Sequence, residues 1–424
     1  MNINKSSQIS KFYKKTLKDR QEVVKDWIDD ENDFLTLTQD QADNMIENVI
    51  GLYGLPFAVS TNFLINGEEY LIPIVIEEPS VVAALSFAAK LFREGGGFNT
   101  SSDKPEMIGQ IQILDCPNIN NALKQITIEK EVLLEEVNNL GGSIVKRGGG
   151  AKDFEIRQFN TDQLGEILIV HLIYDCRDAM GANAVNTAVE YLAPKLEQIT
   201  RGRVNLRILS NLTDRRIARA EGVVLADSLT TDEMSGSEVV QSIIEAGVFA
   251  EIDPYRATTH NKGIMNGIDG VLIATGNDWR AVEAGAHAFA VRSGTYSSLT
   301  KWRRDSQGNL RGSIELPLSV GIVGGATRVH PMAQLALKIL GVSSAQELAE
   351  VIATVGLAQN FAAIRALATD GIQKGHMRMH ARQLAAAAGA PLEAIPLLVE
   401  TMVAEGAIRL ERAKQLLENW NEEH

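Results

Sequence analysis

The sequence predicts an α+β fold: a large mixed α/β domain built around a buried central helix, a smaller ferredoxin-like unit inserted into it, and a helical segment at the carboxyl end. Three observations carry this. The run from Arg256 to His287 is so rich in Ile, Val, Leu, Ala and Gly, over a length no strand reaches, that it belongs in the interior as helix. Between Ile108 and Leu209, apolar runs of strand character alternate with helical stretches in the order βαββα, closed by one more strand, which is the order of a ferredoxin-like sandwich. Beyond Gly356 the apolar spacing is helical to the end of the chain. The boundaries that follow are 1–107 and 216–370 for the large domain, 108–215 for the insert and 371–424 for the helical end.

Taken in order, residues from about Lys11 to Glu47 place apolar side chains at helical spacing (Phe12, Leu17, Val23, Trp27, then Ala42, Met45, Ile46), predicting two amphipathic helices with solvated outer faces. NFLINGEEYLIPIVI follows, two apolar runs joined by Asn66 and Gly67, the residue types that best accept the positive φ of a two-residue hairpin turn. The second strand ends in Glu77, Glu78, Pro79 and Ser80, and VVAALSFAAKLF predicts a helix with Pro79 and Ser80 in its first turn. GGGFN, Gly95 to Asn99, reads as the cap and turn that close it. The insert holds a strand from Ile108 to Leu114, a helix from Asn121 to Asn139, strands in RGGGAKDFEIRQF and EILIVHLIYDC, a helix from about Asn183 to Ile199 and a strand near Val204 to Leu209. In the central stretch, Gly263, Gly267, Gly270 and Gly276 let other backbone come close. SGTYSSLTKWRRDSQGNLRGSIELPL predicts a surface antiparallel pair turning at QGN, and GIVGGAT, Gly321 to Thr327, suits close packing. GLAQNFAAIRALATDG reads as a buried helix ended by Gly371, and a further helix opens at His376 and stops at Gly389. Two amphipathic helices, APLEAIPLLVETMVAEG and AIRLERAKQLLENW, complete the chain.

Composition narrows the function. Lys and Arg total 41 against 54 Asp and Glu, a net charge of −13 without a basic stripe, which argues against a nucleic-acid partner. The 2 cysteines, Cys116 and Cys176, stand far apart and alone, so neither a disulfide framework nor a CxxC metal site is expected, and the compartment is expected to be reducing. The amino terminus lacks the apolar centre of a signal peptide, and no stretch approaches the ~20 uncharged apolar residues of a membrane span. The expectation is a cytoplasmic protein that uses no metal and touches no membrane.

Charges inside the central stretch need a reason. Lys262 and Asp278 sit in surroundings where an isolated ammonium is costly unless a carboxylate compensates it. Such a pair can be structural, bonded to each other or reaching the surface from the ends of a long helix, or it can do chemistry. Of Glu77 and Glu78, one suits a helix start and the other is a candidate acid. In IVHLIYDCRDAMGANAVNT a strong strand enters a loop with Asp178, Met180 and Gly181, then a helix whose free N–H groups and positive end could meet a phosphate. No GxGxxG follows a strand and GxxxxGK[ST] is absent, so neither familiar nucleotide fingerprint is present.

The strings HNKGIMNGID and ATGNDWRAVEAGAHA, together with ENVIGLYGLP, EEPSVVAA, RGGG, DAMGANAVNT, IVGGAT, GLAQNFAA and IQKGHM, closely resemble the soluble class II hydroxymethylglutaryl-coenzyme A (HMG-CoA) reductases over nearly the whole chain. The resemblance implies an NAD(P)H-dependent oxidoreductase that converts HMG-CoA to mevalonate and free coenzyme A. It makes Glu78 the acid, Lys262, Asp278 and His376 the other catalytic residues, and Ser80, Arg256 and Asn266 the contacts to the hydroxymethylglutaryl group. Asp178, Met180, Gly181, Ala182, Asn183 and Asn211 would line the dinucleotide, the insert would be the NAD(P)-binding module, and the carboxyl end would be a flap over the site. A homodimer or larger assembly with shared sites is implied as well.

In this picture Lys262 is held ionised by Asp278 and stabilises the reacting oxygen, Glu78 supplies protons, and His376 protonates the departing thiolate. Relatives that prefer NADH tend to carry an acid just before the RGGG strand, whereas here Leu140 to Ser143 contain none and Lys146 and Arg147 follow, so NADPH preference or dual use is expected. The same site could run oxidatively in mevalonate catabolism with NAD and coenzyme A. A non-catalytic protein that binds coenzyme A thioesters is the remaining alternative.

Overall fold

The computed structural model describes residues 6–28, 34, 36–369 and 372–423, with the side chains of 372–376, 378, 379 and 423 outside the description. After helices α1 (Leu17–Ile28) and α2 (Gln39–Asp43), β1 (Phe57–Ile65) and β2 (Glu68–Val75) form the hairpin, with Asn66 at φ 51 and Gly67 at φ 84 in its turn. Then come α3 (Val81–Glu94) and β3 (Phe98–Ser102). Next are β4 (Glu106–Leu114), α4 (Ile119–Asn139), α5 (Ser143–Lys146), β5 (Gly150–Thr161), β6 (Gly165–Asp175), α6 (Ala182–Thr200) and β7 (Arg203–Leu209). The chain continues through β8 (Ile217–Val224), α7 (Gly236–Ile252), α8 (Pro254–Ala274), α9 (Trp279–Phe289), β9 (Thr300–Arg304), β10 (Leu310–Pro317), α10 (Gly325–Val329) and α11 (Pro331–Leu340). It ends in α12 (Ala345–Ala368), α13 (Ile372–Ala387), α14 (Ile395–Ala404) and α15 (Leu410–Glu423).

Two sheets organise these elements. Strands β4 to β7 pair in the order β5-β6-β4-β7, every pairing antiparallel, with α4 and α6 packed together on one face. That is a ferredoxin-like sandwich with its own buried core, which includes Met107, Ile111, Leu172, Val189 and Leu192. The other six strands run β2-β1-β3-β8-β10-β9, antiparallel except for β1 beside β3. Helices α3, α7, α8 and α12 cover this sheet. At the centre of that core Phe92 lies 4.4 Å from Phe98 and 5.2 Å from Phe361, and Trp302 lies 5.8 Å from Phe361. Aromatic contacts of this kind add about 1 kcal/mol each beyond the area they bury. Helices α13 to α15 enclose a small third core around Ala385, Leu398 and Met402.

The fold departs from expectation at several points. The most deeply buried helix is α12, in which every residue from 351 to 361 is buried, whereas the central stretch breaks at Gly276 (φ 68) into α8 and α9. Among the described residues α12 is the one helix long and apolar enough to cross a membrane, and it is the core helix of the large domain. Phe98 and Asn99, read as a turn, begin β3. The β9–β10 pair is no surface hairpin, because β10 sits between β8 and β9 and Trp302 of β9 is fully buried. Ser80 precedes α3 instead of lying in its first turn, and α13 begins at Ile372, so His376 lies within the helix and not at its start. The expected end at Gly371 lies outside the described residues.

Candidate active site

The site begins with spacing on α8. Lys262 and Asn266 stand four residues apart, so their side chains leave the same face of the helix. Gly270, one turn further on, has no Cβ, and one placed there would lie 2.6 Å from Cγ2 of Ile74. Its absence lets the end of β2 lie directly against α8. The chain leaving β2 then carries Glu78 to α8, where its Oε2 accepts from Lys262 Nζ at 3.0 Å and from Asn266 Nδ2 at 3.3 Å. Of the two adjacent acids, Glu77 is exposed while Glu78 is half-buried and is the one bonded to α8. Ser80 follows at φ 75 and ψ −22, a left-handed conformation, and makes no side-chain capping bond to α3.

Lys262 is not buried in a single chain: 61 % of its side chain is exposed. Nor does it pair there with Asp278, as the sequence suggested. From Lys262, α8 runs twelve further residues to Ala274, roughly 18 Å of helix, before the turn that leads to Asp278. Asp278 caps α9 by accepting from the amide of Ala281 at 3.2 Å and lies 3.7 Å from Arg280. Arg256 sits in the first turn of α8, where burial lowers the pKa of its guanidinium and no carboxylate pairs with it among the described residues. The side chain of His376 lies outside the description.

A second polar chain went unread in the sequence. Asp269 falls on the same stripe as Lys262 and Asn266, and across from it Glu283 lies 2.6 Å from His287 Nε2, whose Nδ1 is 2.7 Å from the Tyr296 hydroxyl. Burial, then the neighbouring Glu283 carboxylate, pushes Asp269 up to about 8, while the hydrogen bond from His287 holds Glu283 below the usual carboxylate range. The repeat 262, 266, 269 was the available signal.

The dinucleotide candidates gather at the start of α6. Gly181 adopts φ 104, the helix has no side-chain cap, and a Cβ on Gly181 would collide with Cys176 Sγ. Burial pushes that thiol up to about 12, which makes Cys176 a packing residue. Asp178, Met180 and Ala182 are half-buried and Asn183 is exposed. Leu209, at the end of β7 and two residues before Asn211, donates its amide to Asn186 Oδ1 of α6 at 3.0 Å. The carbonyl of Asn211 also lies against Gly285 of α9. Facing the same loop, Arg177 Nη2 donates to Gly148 O at 2.8 Å and Lys152 Nζ donates to it at 3.1 Å. Together with Lys146 and Arg147 these set four cations around one turn. An uncapped helix end can take a phosphate, and Arg177, four residues before Gly181, links the chain entering it to the cationic turn at Gly148. The ammonium and amide of α8, with the carboxyl of Glu78 brought against them, can polarise a carbonyl and move a proton.

The family model described as hydroxymethylglutaryl-coenzyme A reductase matches residues 16–381. A 3-hydroxy-3-methylglutaryl-coenzyme A reductase from Archaeoglobus fulgidus is 52 % identical over 97 % of this chain and 94 % of its own length. A probable reductase of the same name from Borreliella burgdorferi is 38 % identical over 80 % of this chain and 77 % of its own. Among solved structures, the class II enzyme from Streptococcus pneumoniae bound to NADPH in open conformations superposes with a TM-score of 0.79 at 41 % identity, covering 96 % of this chain and 100 % of that one. A second structure of the Streptococcus pneumoniae reductase gives 0.81, also at 41 % identity, over 97 % and 99 %. With Lys262, Asn266 and Glu78 joined at α8 and an uncapped helix end at the head of α6, the chain belongs to the class II branch of the hydroxymethylglutaryl-coenzyme A reductases, a family of oxidoreductases.

Proposed function

We propose that this protein reduces HMG-CoA to mevalonate and free coenzyme A in two steps, using two equivalents of NADPH. The observation that carries the reading is the convergence of Lys262 Nζ and Asn266 Nδ2 on Glu78 Oε2 at 3.0 and 3.3 Å, a donor pair and an acid around one point. The insert, 108–215, holds the cofactor, 1–107 and 216–370 hold the substrate, and 371–424 close over both. When bound, the nicotinamide supplies the hydride for each step. Lys262 and Asn266 hold the carbonyl oxygen as it becomes an oxyanion, each such donor contributing about 3 kcal/mol. Glu78 returns the proton to that oxygen. Arg256 grips the terminal carboxylate with its two-pronged donor set and the Ser80 hydroxyl assists. His376 protonates the thiolate that leaves, so a His376→Ala variant keeps reduction of free mevaldehyde while losing reduction of the thioester.

Asp278 lies beyond the far end of α8 and is not paired with Lys262 of its own chain, which supports a homodimer in which a second copy brings it. Mixing Lys262→Ala with Asp278→Ala, each inactive alone, then restores about a quarter of the activity, since half of random dimers are mixed and each mixed dimer has one whole site. No recovery on mixing would remove the shared site. The cations at 146, 147, 152 and 177 favour a 2′-phosphate, so kcat/KM is higher for NADPH than for NADH. A large preference for NADH would reject that assignment. The decisive assay is consumption of reduced cofactor on adding HMG-CoA and on nothing else, and kcat/KM for the reverse oxidation with coenzyme A ranks the two directions.

A further inference from the structure

Arg216 lies just before β8, is only 4 % exposed, and has been given no role so far. Its guanidinium is spent on main-chain carbonyls of two separate segments. Nη1 donates to Ala179 O at 3.3 Å and to Met180 O at 3.2 Å, and Nη2 donates to Val320 O. The first two acceptors belong to the loop that ends at the open start of α6, and the third to the chain leaving β10. Burying a guanidinium costs several kcal/mol in lost hydration, and although the carboxylates of Asp175 and Asp178 offset part of this, every hydrogen bond it makes among the described residues goes to a main-chain carbonyl, so packing alone is a poor reason for it. The two segments also touch directly. The amide of Ile322 donates to Asp178 O at 2.9 Å, and a Cβ on Gly321 would lie 2.5 Å from the Met180 nitrogen. Gly321 in turn donates its amide to Asn277 Oδ1 at 2.8 Å, one residue before Asp278.

In a trans peptide the carbonyl and the following N–H point in opposite directions. Drawing Met180 O towards Arg216 therefore aims the Gly181 amide the other way, alongside the uncapped amides of α6. We propose that Arg216 is a positioning residue for the dinucleotide: it fixes the direction of the Met180 and Gly181 amides at the head of α6 and keys that loop to the turn carrying Asp278. The inference rests on the reading of that helix end as the cofactor site.

The test compares wild type with Arg216→Lys, which keeps the charge but cannot span three carbonyls, and with Gly321→Ala, which presses on the same loop from the other side. The dissociation constants of NADPH and of HMG-CoA are measured separately by ligand-induced fluorescence change, with amide hydrogen exchange at 179–183 and the urea midpoint alongside. Both variants are expected to weaken NADPH by about tenfold or more, keep HMG-CoA within about twofold, and speed exchange in the loop. Unchanged NADPH affinity in both variants would overturn the inference, as would equal loss of both ligands. If Arg216→Lys does not fold, Gly321→Ala decides by the same criteria. A wild type that binds HMG-CoA but no NADPH would overturn the cofactor reading and this inference with it.

Discussion

Helix α8 carries two polar arrays back to back. Lys262 and His260 are two residues apart, hence roughly 200° around the helix. On the Lys262 side, charged groups meet an acid where solvent reaches them. On the other side His260 Nε2 lies 2.7 Å from Thr300 Oγ1, which donates to Asn360 Oδ1 at 2.9 Å, and Trp302 Nε1 donates to the same oxygen at 2.9 Å. Asn261, next to His260, donates to Ser297 O at 2.9 Å and accepts from the Leu299 amide at 3.0 Å. Burial, helped by Arg256, pulls His260 down to about 3, so the inner array is neutral. On α8 the inner side takes polar groups without ionising them, and charge stays on the side that water reaches. The inner array fixes how α8 sits on the sheet, and the outer one uses that fixed position.

The comparison predicts that the two faces fail differently. Lys262→Ala should lower kcat/KM for HMG-CoA by roughly 10²–10³ or more with an unchanged unfolding midpoint, because an exposed residue contributes little to the fold. A matching loss of stability would mean that the outer face is structural. Asn360→Ala should do the reverse. It leaves the Trp302 N–H and the Thr300 hydroxyl without their acceptor and should cost about 2–4 kcal/mol in urea unfolding, while the protein that remains folded keeps its kcat.

A smaller effect belongs to His260. Its folded pKa, about 3, lies below the unfolded value near 6.5, so its contribution is complete above pH 6.5 and is lost as the pH falls towards 3. His260→Gln should flatten the stability profile over that window by an amount on the order of a few kcal/mol, and an unchanged slope would show the ring to be solvated. Asp269 carries the opposite sign. Raised to about 8, it is favoured protonated, so its contribution is present below pH 3.8 and is lost as the pH rises to about 8. Asp269→Asn should match wild type at pH 4 and gain about 1 kcal/mol by pH 9, read from thermal midpoints. No gain at pH 9 would rule out that reading of the acid pair.

What the sequence could show depended on whether a pattern was local. The Asn66-Gly67 hairpin and the alternation of the insert are written in neighbouring residues, and both are found where expected. Strand β3, FNTSS, is short and polar after Phe98, so no apolar alternation marks it, and it is held by pairing with β8 more than a hundred residues away. The exposure of Lys262 was misjudged because its neighbours in sequence are apolar while its own face of α8 is not, which is a matter of helical phase. Glu78 was legible as one of two acids, and it is the docking of β2 against Gly270 that brings Glu78 to Lys262. Arg216 had no signal at all, since its acceptors are carbonyls, which every residue has.

Ser80 holds its left-handed conformation without glycine's freedom, at a cost on the order of 1–3 kcal/mol. Selection for heat resistance alone would find that position early, because Ser80→Gly relieves the backbone at once. The hydroxyl would be discarded with the strain. Lineages adapted to high temperature that still keep serine here would therefore be declaring that the oxygen matters more to them than the degrees of melting temperature forgone.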